Sequence, residues 1–144
     1  MITVQSILKT KGHTIHSVSP SASVFDALRK MAEHNCGALV VMDGDKLVGM
    51  LSERDYARKV ILMGKMSKDT PVRDIMTHEV IHVAPDASVE ACMGLMTEKR
   101  FRHLVVRDAE RVVGVISIGD VVKAVIDEQR FTIEQLELYI AGNV

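Results

Sequence analysis

The sequence of 144 residues contains no tryptophan, and aromatic residues make up only 3% of it. Its 18 basic residues are balanced by 19 acidic ones, which gives a net charge of −1. Proteins that bind nucleic acid need a basic surface for the phosphates, and those that bind single strands also stack bases on aromatic rings. We therefore expect no direct nucleic-acid partner.

Long hydrophobic runs and paired cysteines are also missing. A membrane-spanning helix needs about 20 mostly apolar residues, and no stretch of this chain approaches that length. The first five residues lack the charged segment and apolar core of a targeting signal. Cys36 and Cys92 stand apart, without the Cys-x-x-Cys spacing of a metal or redox pair. We expect a cytoplasmic protein with no membrane insertion and with buried, reduced thiols.

The chain instead contains one pattern twice. Gly49–Asp55 reads Gly-Met-Leu-Ser-Glu-Arg-Asp, and 65 residues later Gly114–Asp120 reads Gly-Val-Ile-Ser-Ile-Gly-Asp. The same offset pairs the apolar run Leu39–Val41 with Leu104–Val106. An internal period of this size identifies the structural unit, which here is half of the chain.

Each half follows the order β-α-β-β-α. Segments rich in β-branched residues at 14–18 and 79–83 predict short strands, and Ser23 and Ser88 begin amphipathic segments typical of helices. Two apolar runs around an acidic turn predict one hairpin at 38–51 and another at 102–116. Ala109 stands where the first hairpin has Gly44, so we expect a different turn in the second hairpin. Helices are predicted at 53–63 and from 118 to 128 or beyond.

These elements divide the chain into four parts. We predict a first repeat over residues 4–64, a polar linker over 65–71, a second repeat over 72–128 and a C-terminal helical extension over 129–144. The lead-in segment Val4–Lys9 has its echo at Val72–Thr77. Their offset is 68 because the connection that follows the first lead-in is three residues longer.

The Ser-x-x-Asp sequence that begins the last helix of each half is the candidate site. A helix N-terminus offers unpaired N–H groups and partial positive charge, so Ser52 and Ser117 are candidate phosphate contacts. A carboxylate one turn further can accept both vicinal hydroxyls of a ribose, which makes Asp55 and Asp120 candidate ribose contacts. The alternative is an ordinary helix cap. Asp is a shorter reciprocal capping partner than Glu or Gln, and its presence in both copies favours the ligand role.

The doubled pattern, with Pro20 and Pro85 ahead of its helices and Gly-apolar-apolar-Ser-x-x-Asp at its end, resembles a tandem pair of CBS domains of the stand-alone bacterial type. The resemblance covers about Val4 to Ile126. It implies an α+β, α/β sandwich-like fold whose two repeats are related by a pseudo-twofold axis, with sheets packed against each other and helices outside. It also implies up to two clefts that sense an adenine nucleotide such as AMP, ATP or NAD, or S-adenosylmethionine, without transforming it.

Further phosphate contacts are expected in both copies. The candidates are Arg54 and Arg58 in the first copy and Gly119, Arg102 and His103 in the second. The first two can place guanidinium groups on a phosphate, and the glycine leaves the backbone open to it. Arg102 and His103 lie where the first strand of the second hairpin begins, and the resemblance implies that they contact a phosphate. The alternative is that they form a solvated edge of the sheet.

Adenine needs a mostly apolar slot with few polar anchors. The first strand of each repeat supplies the candidates His16, Val18, Ile81 and Val83. Core packing is the alternative for the two valines. The histidines near these strands lack the spacing of a metal-binding helix, so we expect no metal site.

Common catalytic motifs such as Gly-x-Ser-x-Gly and His-Glu-x-x-His are absent from the sequence. We therefore expect no enzyme. The resemblance to CBS domains implies a regulatory energy sensor that binds adenine nucleotide and transmits its occupancy to an unknown effector protein. The alternatives are a sensor of S-adenosylmethionine and an interaction or dimerisation module with unoccupied clefts and a methionine-rich docking surface. We expect a homodimer, formed through residues 131–139 and an exposed helical face. That face comprises Met31, Val60, Met96 and Val125.

Overall fold

The computed structural model describes residues 2–142 and divides into two units. The central unit is Thr14–Ile81, and the terminal unit combines the residues up to His13 with those from His82 onward. In chain order the elements are α1 (Val4–Lys11), β1 (Ser17–Val18), α2 (Val24–His34), β2 (Ala38–Asp43), β3 (Lys46–Ser52), α3 (Glu53–Tyr56), a π-helical turn (Ala57–Ile61), a 3-10 turn (Val72–Asp74), β4 (His82–Val83), α4 (Val89–Lys99), β5 (His103–Asp108), β6 (Arg111–Ser117) and α5 (Ile118–Ile140).

Each unit contains one three-stranded sheet, in the orders β1-β2-β3 and β4-β5-β6. The first strand pairs with the second in parallel, and the second and third form an antiparallel hairpin. The runs Leu39–Val41 and Leu104–Val106 are fully buried, as their β-branched and apolar side chains require. The predicted β-α-β-β-α order and the mixed α and β fold class are confirmed, although β1 and β4 are only two residues long.

The helices α2 and α4 start where their caps were predicted. The Ser23 Oγ accepts a hydrogen bond from the Asp26 N–H, and the Ser88 Oγ accepts one from the Ala91 N–H, each at 3.1 Å. Each helix then buries one face against its own unit. Cys92 belongs to the buried face of α4, whereas Cys36 is half-buried, and both thiols are free.

That burial contradicts the predicted dimer face. Met31 and Met96 are only 3% and 4% exposed, Val60 is fully buried and Val125 is half-buried. The prediction was wrong because helical spacing identifies an apolar face without showing that its own sheet covers it.

The lead-in segment of each sequence repeat belongs to the unit that contains the other repeat. In the terminal unit the Val4 N–H donates to the Ala87 carbonyl oxygen at 2.9 Å. In the central unit the Val72 N–H donates to the Ala22 carbonyl oxygen at 2.8 Å, which is the equivalent bond. The spatial units therefore differ from a simple division of the sequence, since each is completed by a segment from outside its own repeat.

The helices after the two hairpins differ. The predicted helix over 53–63 begins as α3 and becomes π-helical at Ala57, whereas α5 runs unbroken to Ile140. Beyond Glu128 every described side chain of α5 is exposed, including Phe131, Leu136 and Ile140. None of the helices within residues 2–142 combines the length and apolarity that crossing a membrane requires.

The two hairpins use the same backbone geometry at their tips. Asp43 pairs with Lys46 and Asp108 pairs with Arg111, so each loop contains two residues. Gly44 has φ +62°, and Ala109 has φ +56° at the equivalent place. The expectation of a different second turn was wrong, because strand register fixes the loop length and Ala109 accepts a left-handed conformation that L residues disfavour.

Replacing Ala109 with glycine should therefore stabilise the protein. Relief of the left-handed strain outweighs the extra entropy of glycine in the unfolded chain, and we expect a gain of about 0.5–1 kcal/mol in the free energy of unfolding. Urea denaturation of Ala109→Gly measures it, and Gly44→Ala is the matched control that should lose stability. A less stable Ala109→Gly protein would contradict this reading of the turn.

Candidate functional site

Both Ser-x-x-Asp sequences form complete capping boxes. The Ser52 Oγ accepts from the Asp55 N–H at 3.2 Å, and the Asp55 Oδ2 accepts from the Ser52 N–H at 3.0 Å. In the second copy the Ser117 Oγ accepts from the Asp120 N–H at 3.2 Å, and the Asp120 Oδ2 accepts from the Ser117 N–H at 2.8 Å. The two copies of the motif thus have the same local geometry.

These boxes correct one argument from the sequence. Asp was expected to be a poorer reciprocal capping partner than Glu or Gln, yet both aspartates close the box at normal hydrogen-bond distances. Capping and ligand binding are not exclusive, because a carboxylate has two oxygens with about four acceptor sites. The cap holds each carboxylate in one orientation at the helix start, so the side chain is already ordered before a ligand binds.

Asp55 receives further donors from two other parts of the central unit. The Thr77 Oγ1 donates to Oδ1 at 3.3 Å, and the Lys59 ammonium lies 3.2 Å from the same oxygen. Lys59 also donates to the Ile75 carbonyl oxygen at 3.0 Å. Thr77 and Ile75 belong to the lead-in of the second sequence repeat, so that segment forms one wall of the site around Asp55.

The helix α1 extends the first lead-in by two residues to Lys11, and this lysine holds Asp120. The Lys11 Nζ lies 2.6 Å from the Asp120 Oδ2 and donates to the Val115 carbonyl oxygen at 2.8 Å. Burial acts to raise the pKa of Asp120, but the hydrogen bonds from Lys11 and from the Ser117 N–H outweigh burial and lower that pKa below its ordinary value. The carboxylate is therefore a charged acceptor at neutral pH.

The charges of Lys11, Asp120 and Arg102 act on His103. Burial lowers the pKa of His103, the Lys11 ammonium and Arg102 lower it further, and Asp120 acts in the opposite direction. His103 pairs with Ser117 across the hairpin, where the central unit has Ala38 opposite Ser52. The structure thus brings the predicted pair Arg102 and His103 together with Asp120, and it adds a lysine to them.

The remaining phosphate candidates lie at the helix starts. The Ile118 N–H donates to the Arg102 carbonyl oxygen at 2.8 Å, and the next residue is Gly119, which is exposed. Arg54 and Arg58 are exposed on α3 and on the π-helical turn that continues it. The contact of these positions with a phosphate stays a prediction.

The adenine candidates fall on both units. His16 and Val18 in the central unit are half-buried, as is Ile81 at its end, and Val83 in the terminal unit is buried. The His16 ring stacks on His34 with centroids 3.9 Å apart. Within residues 2–142 no three His, Cys, Asp or Glu side chains are grouped so that they could hold a metal ion.

Sequence reasoning missed three residues of the site: Lys11, Lys59 and Thr77. Lys59 lies one helical turn after Asp55, a spacing that predicts a contact between their side chains. The other two are carried by the lead-in segments, whose echo was visible in the sequence. The similarity of the two lead-in sequences identifies equivalent segments, but it does not show which repeat each segment packs against.

The CBS domain family model matches residues 3–62 and again 72–127. The mitochondrial CBS domain-containing protein CBSX3 of Arabidopsis thaliana is 41% identical over 149 residues, which cover 97% of this chain and 72% of that protein. The CBS domain-containing protein YhcV of Bacillus subtilis is 32% identical over 117 residues, covering 81% of this chain and 83% of its own. The cytoplasmic location expected from the sequence stays a prediction.

Solved structures of CBS-domain proteins have the same fold. One from Burkholderia ambifaria is 50% identical with a TM-score of 0.86, covering 89% of this chain and 96% of its own. A hexameric CBS-CP12 protein from cyanobacteria is 27% identical with a TM-score of 0.76, covering 84% and 66%. A Pyrobaculum aerophilum protein, complexed with AMP, is 24% identical with a TM-score of 0.74, covering 83% and 89%. Because the family model matches both repeats over most of the sequence, the chain belongs to the CBS domain family.

Proposed function

We propose that the protein is a regulatory module that binds an adenine nucleotide at each Ser-x-x-Asp helix start and passes this occupancy to a partner protein. The observation that carries the proposal is the duplicated carboxylate, held in one orientation by its cap and bordered by donors from a lead-in segment. Such a group can accept two ribose hydroxyls, and charged acceptors form stronger hydrogen bonds than neutral ones.

Positive charge around each carboxylate supports a ligand that carries phosphate. In the terminal unit the Lys11 ammonium pairs with Asp120, and the exposed Arg102 precedes His103, which lies opposite Ser117 across the hairpin. The central unit has Lys59 on Asp55, with Arg54 and Arg58 exposed along the same stretch. Cations outnumber the site carboxylate in both units, so an anionic ligand is favoured over a neutral or cationic one.

The AMP complex of the Pyrobaculum aerophilum protein, which shares the fold, makes AMP the first ligand to test. Thermal unfolding in the presence of AMP, ADP, ATP, NAD, NADH or S-adenosylmethionine separates the candidates, since a ligand at about 100 times its dissociation constant stabilises by about 2.7 kcal/mol. The proposal predicts a shift with at least one adenine nucleotide. Formation of a product during incubation would instead favour an enzyme.

Replacing the site aspartates should weaken binding without unfolding the protein. Asp55→Asn and Asp120→Asn keep an acceptor for the cap but remove the charge, and we expect each to weaken nucleotide binding at its own site about tenfold or more in calorimetry. The matched controls are Ser23→Ala and Ser88→Ala, which remove a helix cap in the same units. The controls should lose about 1 kcal/mol of stability and keep their affinity. Asparagine variants that bind like the parent would contradict the ribose role.

Nucleotide binding to the terminal unit should strengthen as pH falls from about 8 to about 6.5. The pKa of His103 lies below its ordinary value, so the ring is neutral before binding, and a phosphate beside it would raise that pKa and draw in a proton. Calorimetry of AMP across this range measures the effect. His103→Asn should remove the strengthening at lower pH and leave only the effect of the second ionisation of the phosphate, at about pH 6, and adenosine, which has no phosphate, should show no pH dependence. An unchanged slope in His103→Asn would exclude His103 as a phosphate contact.

We propose further that the protein forms a homodimer through the end of α5. Its exposed apolar side chains lie on a helix that continues beyond the part buried against the terminal unit. They include Phe131, Ile133, Leu136, Tyr139 and Ile140. The same surface is what an interaction module without a nucleotide would use, so it also favours that second candidate function.

Light scattering during size exclusion tests the dimer. The chain has a mass of 15.9 kDa, and the proposal predicts twice that mass at micromolar concentration. Replacing Leu136 and Ile140 with glutamate should produce a monomer that still folds, because both side chains are exposed. A monomeric parent protein would contradict the proposal.

A further inference from the structure

The two lead-in segments make equivalent contacts with different chemistry. In the central unit, the Thr77 N–H donates to the Met50 carbonyl oxygen at 2.8 Å, and the Thr77 hydroxyl donates to Asp55. Val115 occupies the place of Met50 in the terminal unit, 65 residues further along the chain. There the Lys11 ammonium alone makes both contacts, with the Val115 carbonyl oxygen and with Asp120. The Lys11 ammonium thus takes the place of two neutral donors, the N–H and the hydroxyl of Thr77.

The longer connection after the first lead-in explains this difference. The first lead-in and the two residues after it form the eight-residue helix α1, whereas the second lead-in forms only a three-residue 3-10 turn before Thr77 pairs with Met50 of β3. Leu8 of α1 packs on Gly114, where an added Cβ would lie 2.6 Å from the Leu8 Cδ2. This close approach brings the last residue of α1, Lys11, over the start of α5.

Lys11 has both the reach and the freedom to change partners. Its side chain is 39% exposed, while that of Asp120 is 24% exposed, so the lysine is the more accessible partner of the pair. A lysine is a compact charge on a flexible stem and binds a phosphate as readily as a carboxylate. If ribose hydroxyls take the carboxylate, the ammonium loses part of its partner, and a phosphate nearby is the best replacement. His103 lies opposite Ser117 across the hairpin, and the Arg102 carbonyl oxygen accepts the Ile118 N–H, so both residues border the helix start that such a phosphate would approach.

Resting on the proposed function, we propose that Lys11 is the group that distinguishes a nucleotide from a nucleoside at the Asp120 site. Before binding, Lys11 neutralises Asp120 and competes with ribose hydroxyls for its Oδ2. After binding, Lys11 pairs with the phosphate. Removing the ammonium therefore has opposite consequences for two ligands that differ only in phosphate. Without the ammonium, the ribose of a nucleoside meets a carboxylate that has no competing lysine. The phosphate of a nucleotide lacks the cation that would pair with it.

Calorimetry with AMP and adenosine tests this on the full chain carrying Asp55→Asn, which weakens the other site. Adding Lys11→Met should weaken AMP binding about tenfold, the worth of one ion pair of about 1.4 kcal/mol, and leave adenosine binding equal or tighter. Lys11→Arg, which keeps the charge, should restore most of the AMP affinity. Lys9→Met is the matched control, since it removes an exposed lysine from the same helix, and it should change neither ligand.

Each other outcome overturns the proposal in a recognisable way. Equal weakening of AMP and adenosine by Lys11→Met would mean that Lys11 only supports the fold of the site. A loss of AMP affinity no larger than that of Lys9→Met would mean that Lys11 acts only through the total charge of the protein and makes no contact with the phosphate. If the chain with Asp55→Asn binds neither ligand, the nucleotide function itself fails at Asp120, and the role of Lys11 falls with it.

Discussion

A single carboxylate at the start of a helix connects the local structure of each unit to its proposed chemistry. Asp55 and Asp120 each accept the N–H of their own cap residue and, at the same time, a donor from a lead-in segment. The cap fixes where the carboxylate points, and the lead-in fixes what charge surrounds it. The cap bonds Oδ2 in both copies, while the lead-in donor bonds Oδ1 of Asp55 and Oδ2 of Asp120, so a ligand must use the acceptor capacity that these donors leave or displace one of them.

Each lead-in contact with a site carboxylate lies close to a point where the chain passes from one unit to the other. Lys11 lies two residues before the chain leaves the terminal unit at His13, and Thr77 lies four residues before the central unit ends at Ile81. A ligand that changes these contacts therefore acts on the chain close to where it passes between units. Such a change carries information only if the ligand binds two arrangements of the module with different affinities, because equal affinity shifts no population.

Local sequence patterns were sufficient to predict much of the fold and the Ser-x-x-Asp residues at the centre of the candidate site. The 65-residue offset, the caps at Ser23 and Ser88, and the hairpins were readable because they depend on neighbours in sequence. The contacts of Lys11 were not readable, since its partners Val115 and Asp120 are 104 and 109 residues away. The face containing Met31 and Met96 was read as apolar, but what covers it depends on packing. At Ala109 the strand register overrode the conformational preference of the residue.

The central claim is that these carboxylates bind ribose hydroxyls, and it is tested most directly by altering the ligand, which leaves both caps intact. Calorimetry on the unmodified protein should compare AMP with 2′-deoxy-AMP and 3′-deoxy-AMP. A charged acceptor predicts that each missing hydroxyl weakens binding by at least about tenfold. Equal affinities for the three nucleotides would contradict the account and leave Asp55 and Asp120 as capping residues alone.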